Sequence, residues 1–123
     1  MFDMLKAAFG GGGVERISPD QAKSLAKDGA LIIDVREPAE VQRSGKIKGA
    51  INIPVGSIAT AANLSAPNHD RRLNKDRVII VYCASGMRSG SAGSTLKSLG
   101  YDKVYNLGGL ASWSAAGGSM EKA

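Results

Sequence analysis

The chain has 123 residues, 43% of them apolar, enough for one core and too few for a second domain. Sixteen basic against eleven acidic residues give a formal charge of +5, which favours anionic small molecules or partners. The basic residues are scattered and aromatics make up only 5%, which argues against a nucleic-acid surface built from a cationic stripe with stacking rings. One cysteine excludes an intrachain disulfide, and with a single histidine it excludes a clustered zinc site. No metal or cofactor is expected, and a reducing, cytoplasmic compartment fits best.

In chain order, Met1 to Phe9 is a short stretch containing Asp3 and Lys6 that runs into four glycines. It is too short for a signal-peptide core or a membrane span, so residues 1–13 read as a flexible leader and linker, with no membrane partner. Residues 14–118 read as the domain and 119–123 as a tail. Ser18-Pro19-Asp20-Gln21 carries the signature of a helix start: a capping hydroxyl, proline at the first helical position, and a glutamine able to complete a capping box. Ala22, Leu25 and Ala26 supply its buried face, and Asp28-Gly29 stops it. Residues 30–35 are a continuous apolar strand of the kind buried on both faces. A short helix follows over 37–43, closed by Ser44-Gly45, and then a short strand over 50–53 stopped by Pro54. Residues 56–75 read as a surface excursion. A second buried strand spans 78–82, a helix 88–99 ends at Gly100, and a strand spans 103–107. Gly108-Gly109 is expected to turn the chain into a last helix through Trp113, read as a core plug, after which Gly117-Gly118 release the tail.

Strands separated by helices imply parallel pairing, hence a three-layer α/β domain with a mainly parallel central sheet and helices on both faces. Ligands of such sheets bind at the carboxyl ends of the strands. Asp34-Val35-Arg36 and Cys83 both lie at such ends. A lone cysteine is often only a small buried hydrophobe. Here it precedes a polar, glycine-containing loop, Ala84-Ser85-Gly86-Met87-Arg88, and a helix. That context points to a thiol at a surface loop, activated by converging amides and by the helix dipole. Arg88 stands five positions after Cys83, whereas cysteine phosphatases use a loop one residue longer. The tighter cradle suits a sulfur atom better than a tetrahedral phosphate, which makes sulfur transfer the leading chemistry.

At these residues the chain resembles the single-domain form of the rhodanese family of sulfurtransferases, over about Glu15 to Trp113. The resemblance rests on Asp34-Val35-Arg36-Glu37-Pro38, Gly49-Ala50-Ile51-Asn52-Ile53-Pro54, the loop Cys83 to Arg88 with Ser89, and Tyr105-Asn106-Leu107-Gly108-Gly109. It departs from the family at Gly45-Lys46-Ile47-Lys48-Gly49-Ala50, where the common pattern is Gly-His-Ile-Pro-Gly-Ala. The resemblance implies double displacement, with Cys83 taking a sulfane sulfur from a small anionic donor such as thiosulfate and passing it to cyanide or a thiol, possible acceptors including a thioredoxin-like protein. It implies that the amides of Ala84, Ser85, Gly86, Met87 and Arg88 cradle the persulfide, with the Arg88 cation favouring the anionic forms.

Asp34 and Arg36 have two readings: an ion pair bracing the loop from behind, which is favoured, or direct substrate contact. Lys46 and Lys48 either line the mouth or are simply solvated, and Met87 is either an apolar rim or incidental. His69 is expected to be solvated. Two rival functions stand beside the sulfurtransferase: a non-catalytic rhodanese-like binding or regulatory module, and a phosphatase or arsenate reductase using the same thiol.

Overall fold

The computed structural model describes residues 13–123; the expected leader, apart from Gly13, lies outside them. Strand β1 is Glu15–Arg16. Helix α1, Pro19–Lys27, begins as its sequence dictates. The Gln21 amide donates to the Ser18 hydroxyl at 3.1 Å, and Gln21 Oε1 accepts from the Ser18 amide at 2.8 Å. Gly29, at φ +100°, takes the left-handed turn that ends the helix. Strand β2, Leu31–Asp34, is buried throughout and leads to helix α2, Pro38–Ser44. Two short strands follow, β3 at Lys46–Ile47 and β4 at Ile51–Asn52. A 3-10 turn at Val55–Ser57 enters helix α3, Ile58–Ala62. Strand β5 is Ile79–Cys83, helix α4 is Met87–Ser98, and strand β6 is Val104–Gly109. Helix α5, Leu110–Ala115, and strand β7, Met120–Glu121, close the chain.

The main sheet has the order β1-β6-β5-β2-β4 with every pairing parallel. Side chains alternate between its faces. Ile33, Val35, Ile79, Val81 and Cys83 face a core shared with α3 and α4, including Ile58, Ala92 and Leu96. Ile32, Ile80, Tyr82 and Leu107 face the other core, with Ala22 of α1 and Trp113 of α5. Each fully buried aliphatic side chain contributes roughly 1.5–3 kcal/mol, so the two most apolar strands anchor both layers.

Three expectations are corrected. Residues 56–75 are no mere surface excursion: Ile58, Ala62 and Leu73 are fully buried, and the Tyr101 hydroxyl donates to the Ala62 carbonyl at 2.7 Å. Strand β6 runs on through Gly108-Gly109 instead of turning there. The residues after Gly117-Gly118 are not released: β7 pairs antiparallel with β3, and the Lys46 ammonium is bonded to the Glu121 carboxylate.

Candidate active site

Cys83 is the last residue of β5, and its register partner across the sheet is Gly109. Contrary to the surface-loop expectation, it is fully buried, at 0% exposure, because the polar loop folds back over it. Glycine makes that fold possible. Gly86 adopts φ +101° at the start of α4, a conformation that side chains with a Cβ disfavour. A Cβ on Gly109 would come within 2.6 Å of the Ala84 carbonyl oxygen, so β6 can lie against the loop only with glycine there.

The reversed loop aims donors at the sulfur. The Gly86 amide donates to Cys83 Sγ at 2.9 Å and the Ser89 amide at 3.4 Å, while the Ser89 hydroxyl stands 3.4 Å from it. Burial pushes the thiol pKa up. The Ser89 hydroxyl and the amides of Ser89, Gly86 and Ser85 outweigh it, leaving Cys83 below its ordinary value. The Ser89 hydroxyl also lies 2.8 Å from Asn106 Oδ1 and 3.1 Å from the Gly86 carbonyl, both able to accept its proton. Its single proton can therefore turn to the sulfur when a thiolate forms, while Asn106 Oδ1 keeps a 2.8 Å bond from the Gly108 amide. Asn106 Nδ2 donates to the Gly86 carbonyl at 3.3 Å and ties the loop to β6.

Arg88 forms a forked ion pair with Glu40 of α2, Nη1 to Oε1 at 2.6 Å and Nη2 to Oε2 at 3.0 Å. The Arg88 hydrogen bond is the main reason Glu40 is held down at about 2, and the pair raises Arg88 in turn. Among the expected cradle residues, Gly86 and Ser85 bring amides toward the sulfur. Ala84 contributes the carbonyl that packs on Gly109, and Met87 stands 82% exposed beside the loop.

Asp34 and Arg36 are a buried ion pair on the opposite face from the thiol, joined through Nη2 and Oδ2 at 2.7 Å. The Tyr82 hydroxyl donates to Asp34 Oδ2 at 2.6 Å and accepts from the Ile47 amide at 3.0 Å. Burial, followed by the bond to Asp34, raises the Tyr82 phenol above its ordinary value. Arg36 also donates to the Ser44 hydroxyl and the Gly45 carbonyl, clamping the end of α2, the helix that carries Glu40. Lys46 is not at the mouth: it donates to the Ala50 carbonyl at 2.7 Å as well as pairing with Glu121. Lys48 is exposed. His69 is not simply solvated, because its Nε2 lies 3.1 Å from the Leu73 carbonyl.

Ser89, Asn106 and Glu40 are the site residues that sequence reasoning missed. Ser89 and Asn106 fall within the motifs quoted for the resemblance, which is the signal that could have singled them out.

The rhodanese-like domain model matches residues 18–116. The chain belongs to the rhodanese-like domain family. It is 33% identical over 100 residues to the thiosulfate sulfurtransferase GlpE of Pseudomonas entomophila, covering 80% of this chain and 84% of that one. It is 38% identical over 85 residues to the uncharacterized protein YqhL of Bacillus subtilis; the match covers 68% of this chain but only 60% of that longer protein. Among solved structures, the Saccharomyces cerevisiae single-domain sulfurtransferase RDL2 superposes with a TM-score of 0.70 at 31% identity, over 89% of this chain and 96% of that one. A Rhodopseudomonas palustris protein of unknown function, described as a possible tyrosine phosphatase, gives 0.80 at 31% identity, over 88% and 85%. The sulfurtransferase relatives support sulfur transfer as the general chemistry of this rhodanese-like domain. No helix among the described residues is long and apolar enough to cross a membrane.

Proposed function

We propose that the protein is a thiosulfate or persulfide sulfurtransferase working by double displacement at Cys83. The Cys83 thiolate attacks the sulfane sulfur of thiosulfate, the donor's sulfur–sulfur bond breaks, and sulfite leaves with the electron pair. The persulfide left on Cys83 is then attacked by cyanide or a thiol at its outer sulfur, which restores the thiolate. A thioredoxin-like protein is one class of thiol acceptor.

The observation that carries this reading is the set of donors at the sulfur itself: the Gly86 and Ser89 amides and the Ser89 hydroxyl. They favour thiolate over thiol and serve equally as an anchor for a persulfide. A thiolate already present needs no general base, consistent with His69 being engaged with Leu73. The short loop also supports sulfur transfer over phosphate hydrolysis, since Arg88 follows Cys83 by five positions.

The test is the intact mass of the protein before and after thiosulfate, and again after cyanide. A gain of one sulfur atom, lost as thiocyanate forms and absent in Cys83→Ser, is the expected result. No gain with any sulfane donor would move the reading to a binding module. Hydrolysis of an aryl phosphate without sulfur transfer would move it to a phosphatase.

A further inference from the structure

Helix α2 meets the Cys83 loop with carboxylates. Glu40, in its first turn, holds both Arg88 Nη groups in the forked pair, and both side chains are partly exposed to solvent. Glu40 is itself fixed in place: Oε1 accepts from the Glu37 amide at 2.9 Å, and Arg36 clamps the far end of α2 through Ser44 and Gly45. Arg88 adjoins Ser89, whose amide reaches Cys83 Sγ at 3.4 Å. The bond to Glu40 is the main cause that holds Arg88 above its ordinary pKa, and the charges of Cys83 and Glu37 add to it. The cation, the thiolate and both carboxylates therefore act on one another. Two carboxylates against one guanidinium leave the α2 side of the loop net negative. On the β1 side, Arg16 lies across Gly108 with Nη1 3.8 Å from the Cβ position of Gly86, and the Gly86 backbone separates it from the sulfur.

We propose that Glu40 is a positioning residue that sets the charge selectivity of the Cys83 loop: by occupying Arg88 it turns the site away from dianionic thiosulfate and toward an uncharged low-molecular-weight persulfide as sulfur donor. The inference rests on the sulfurtransferase reading and adds the class of donor. A dianion at the loop must either displace Glu40 from the fork or approach against the net negative charge beside it. A persulfide in its neutral form meets neither cost. In the donor step the Cys83 thiolate attacks the outer sulfur of that persulfide, the donor's sulfur–sulfur bond breaks, and the inner sulfur leaves as thiolate with the electron pair. The transferred sulfur carries its proton onto Cys83 and then gives it to solvent or to the departing thiolate.

The experiment measures kcat/KM for thiosulfate and for the persulfide of 2-mercaptoethanol with wild type, Glu40→Gln and Glu40→Asp. Glutamine keeps an acceptor for the Glu37 amide and removes the charge, whereas aspartate keeps the charge. Wild type should favour the persulfide. E40Q should raise the thiosulfate-to-persulfide ratio roughly fivefold, the effect of one unit of charge on a dianion near a solvated surface, and E40D should stay near wild type. An unchanged or lower ratio in E40Q overturns the proposal, as does a wild-type preference for thiosulfate. So does an equal gain with both donors, or a rise in E40D matching that in E40Q, either of which would mean that the substitution had only loosened the loop.

A second readout does not depend on sulfur transfer. Iodoacetate and iodoacetamide alkylate the same thiol and differ in one charge. E40Q should raise the iodoacetate-to-iodoacetamide rate ratio roughly twofold at low salt, and the rise should vanish in about 1 M salt, where the Debye length is about 3 Å. A ratio unchanged at low salt, or a rise that persists at high salt, overturns the charge role of Glu40 even if the enzyme is active. A protein that takes sulfur from neither donor overturns the sulfurtransferase reading, and the alkylation ratio then decides the role of Glu40 alone.

Discussion

Replacing Ser89 with alanine removes the one side-chain donor that faces the Cys83 sulfur among the described residues. A hydrogen bond to a charged group contributes about 1.5–3 kcal/mol. The 3.4 Å separation of Oγ from Sγ, and competition for the hydroxyl proton from Asn106 Oδ1 and the Gly86 carbonyl, put this one at the low end. The loss corresponds to about one pH unit, at 1.36 kcal/mol per unit. The sign follows from the charge state: the donor favours thiolate, so its removal moves the thiol's titration to higher pH. The amides of Gly86 and Ser89 remain, so the thiol still does not behave as an unassisted buried one. The assay is the rate of alkylation by iodoacetamide as a function of pH. S89A should shift the acid limb upward by about one unit and slow alkylation on that limb about tenfold. A limb that stays in place, or moves down, would refute the assignment of Ser89 as a donor to the thiolate. Asn106 Oδ1 keeps the Gly108 amide, so S89A should fold, and its melting curve checks that.

The Tyr82 hydroxyl and the α4 glycines give two tests of the surrounding packing. Tyr82→Phe leaves the Ile47 amide without its partner and removes one donor from Asp34, at a cost of about 1–3 kcal/mol; a urea midpoint matching wild type would contradict this. Gly93→Ala drives a Cβ to 2.8 and 2.9 Å from the Val14 methyls, whereas on Gly90 the nearest atom outside the helix, Asn106 Nδ2, stands at an ordinary 3.6 Å. Overpacking costs about 1–3 kcal/mol and alanine's helix propensity returns up to about 1 kcal/mol, so G93A should destabilise while G90A is neutral or stabilising. Equal midpoints for G93A and G90A would show that Val14 yields freely.

The layered fold was legible because its signals are local. Ser18-Pro19-Asp20-Gln21 writes a capping box into four residues, and the apolar runs before Asp34 and Cys83 can only be buried strands. The short strands β3 and β7 were not legible. Two residues each carry no periodicity, and their pairing joins segments about 75 positions apart. The same holds for the burial of Leu73 within a polar stretch, which depends on α3 and α4 being in place. At the site, the position of Cys83 could be read from the break in composition after Tyr82. The partners could not, because Ser89–Asn106 and Arg88–Glu40 are contacts between elements brought together by sheet order.

The electrostatic balance of the loop also differs from what the string of residues suggests. A net charge of +5 and an arginine beside the nucleophile invite a reading in which cations activate the thiol. In the fold, Arg88 is committed to Glu40 and Arg36 to Asp34. The groups that lower Cys83 against its own burial are instead one hydroxyl and a set of backbone amides. The amides are fixed by the strand end, the left-handed Gly86 and the first turn of α4 and need no reorganisation when charge moves onto the sulfur, while the Ser89 hydroxyl has only to turn its proton. In the proposed reaction a persulfide would extend the charge outward by one atom without leaving that frame, so the same loop would hold the nucleophile before the donor step and the carried sulfur after it. In the proposed reaction the pairing of Arg88 with Glu40 would limit its pull on a departing sulfite, so release of that anion would not work against a bare cation.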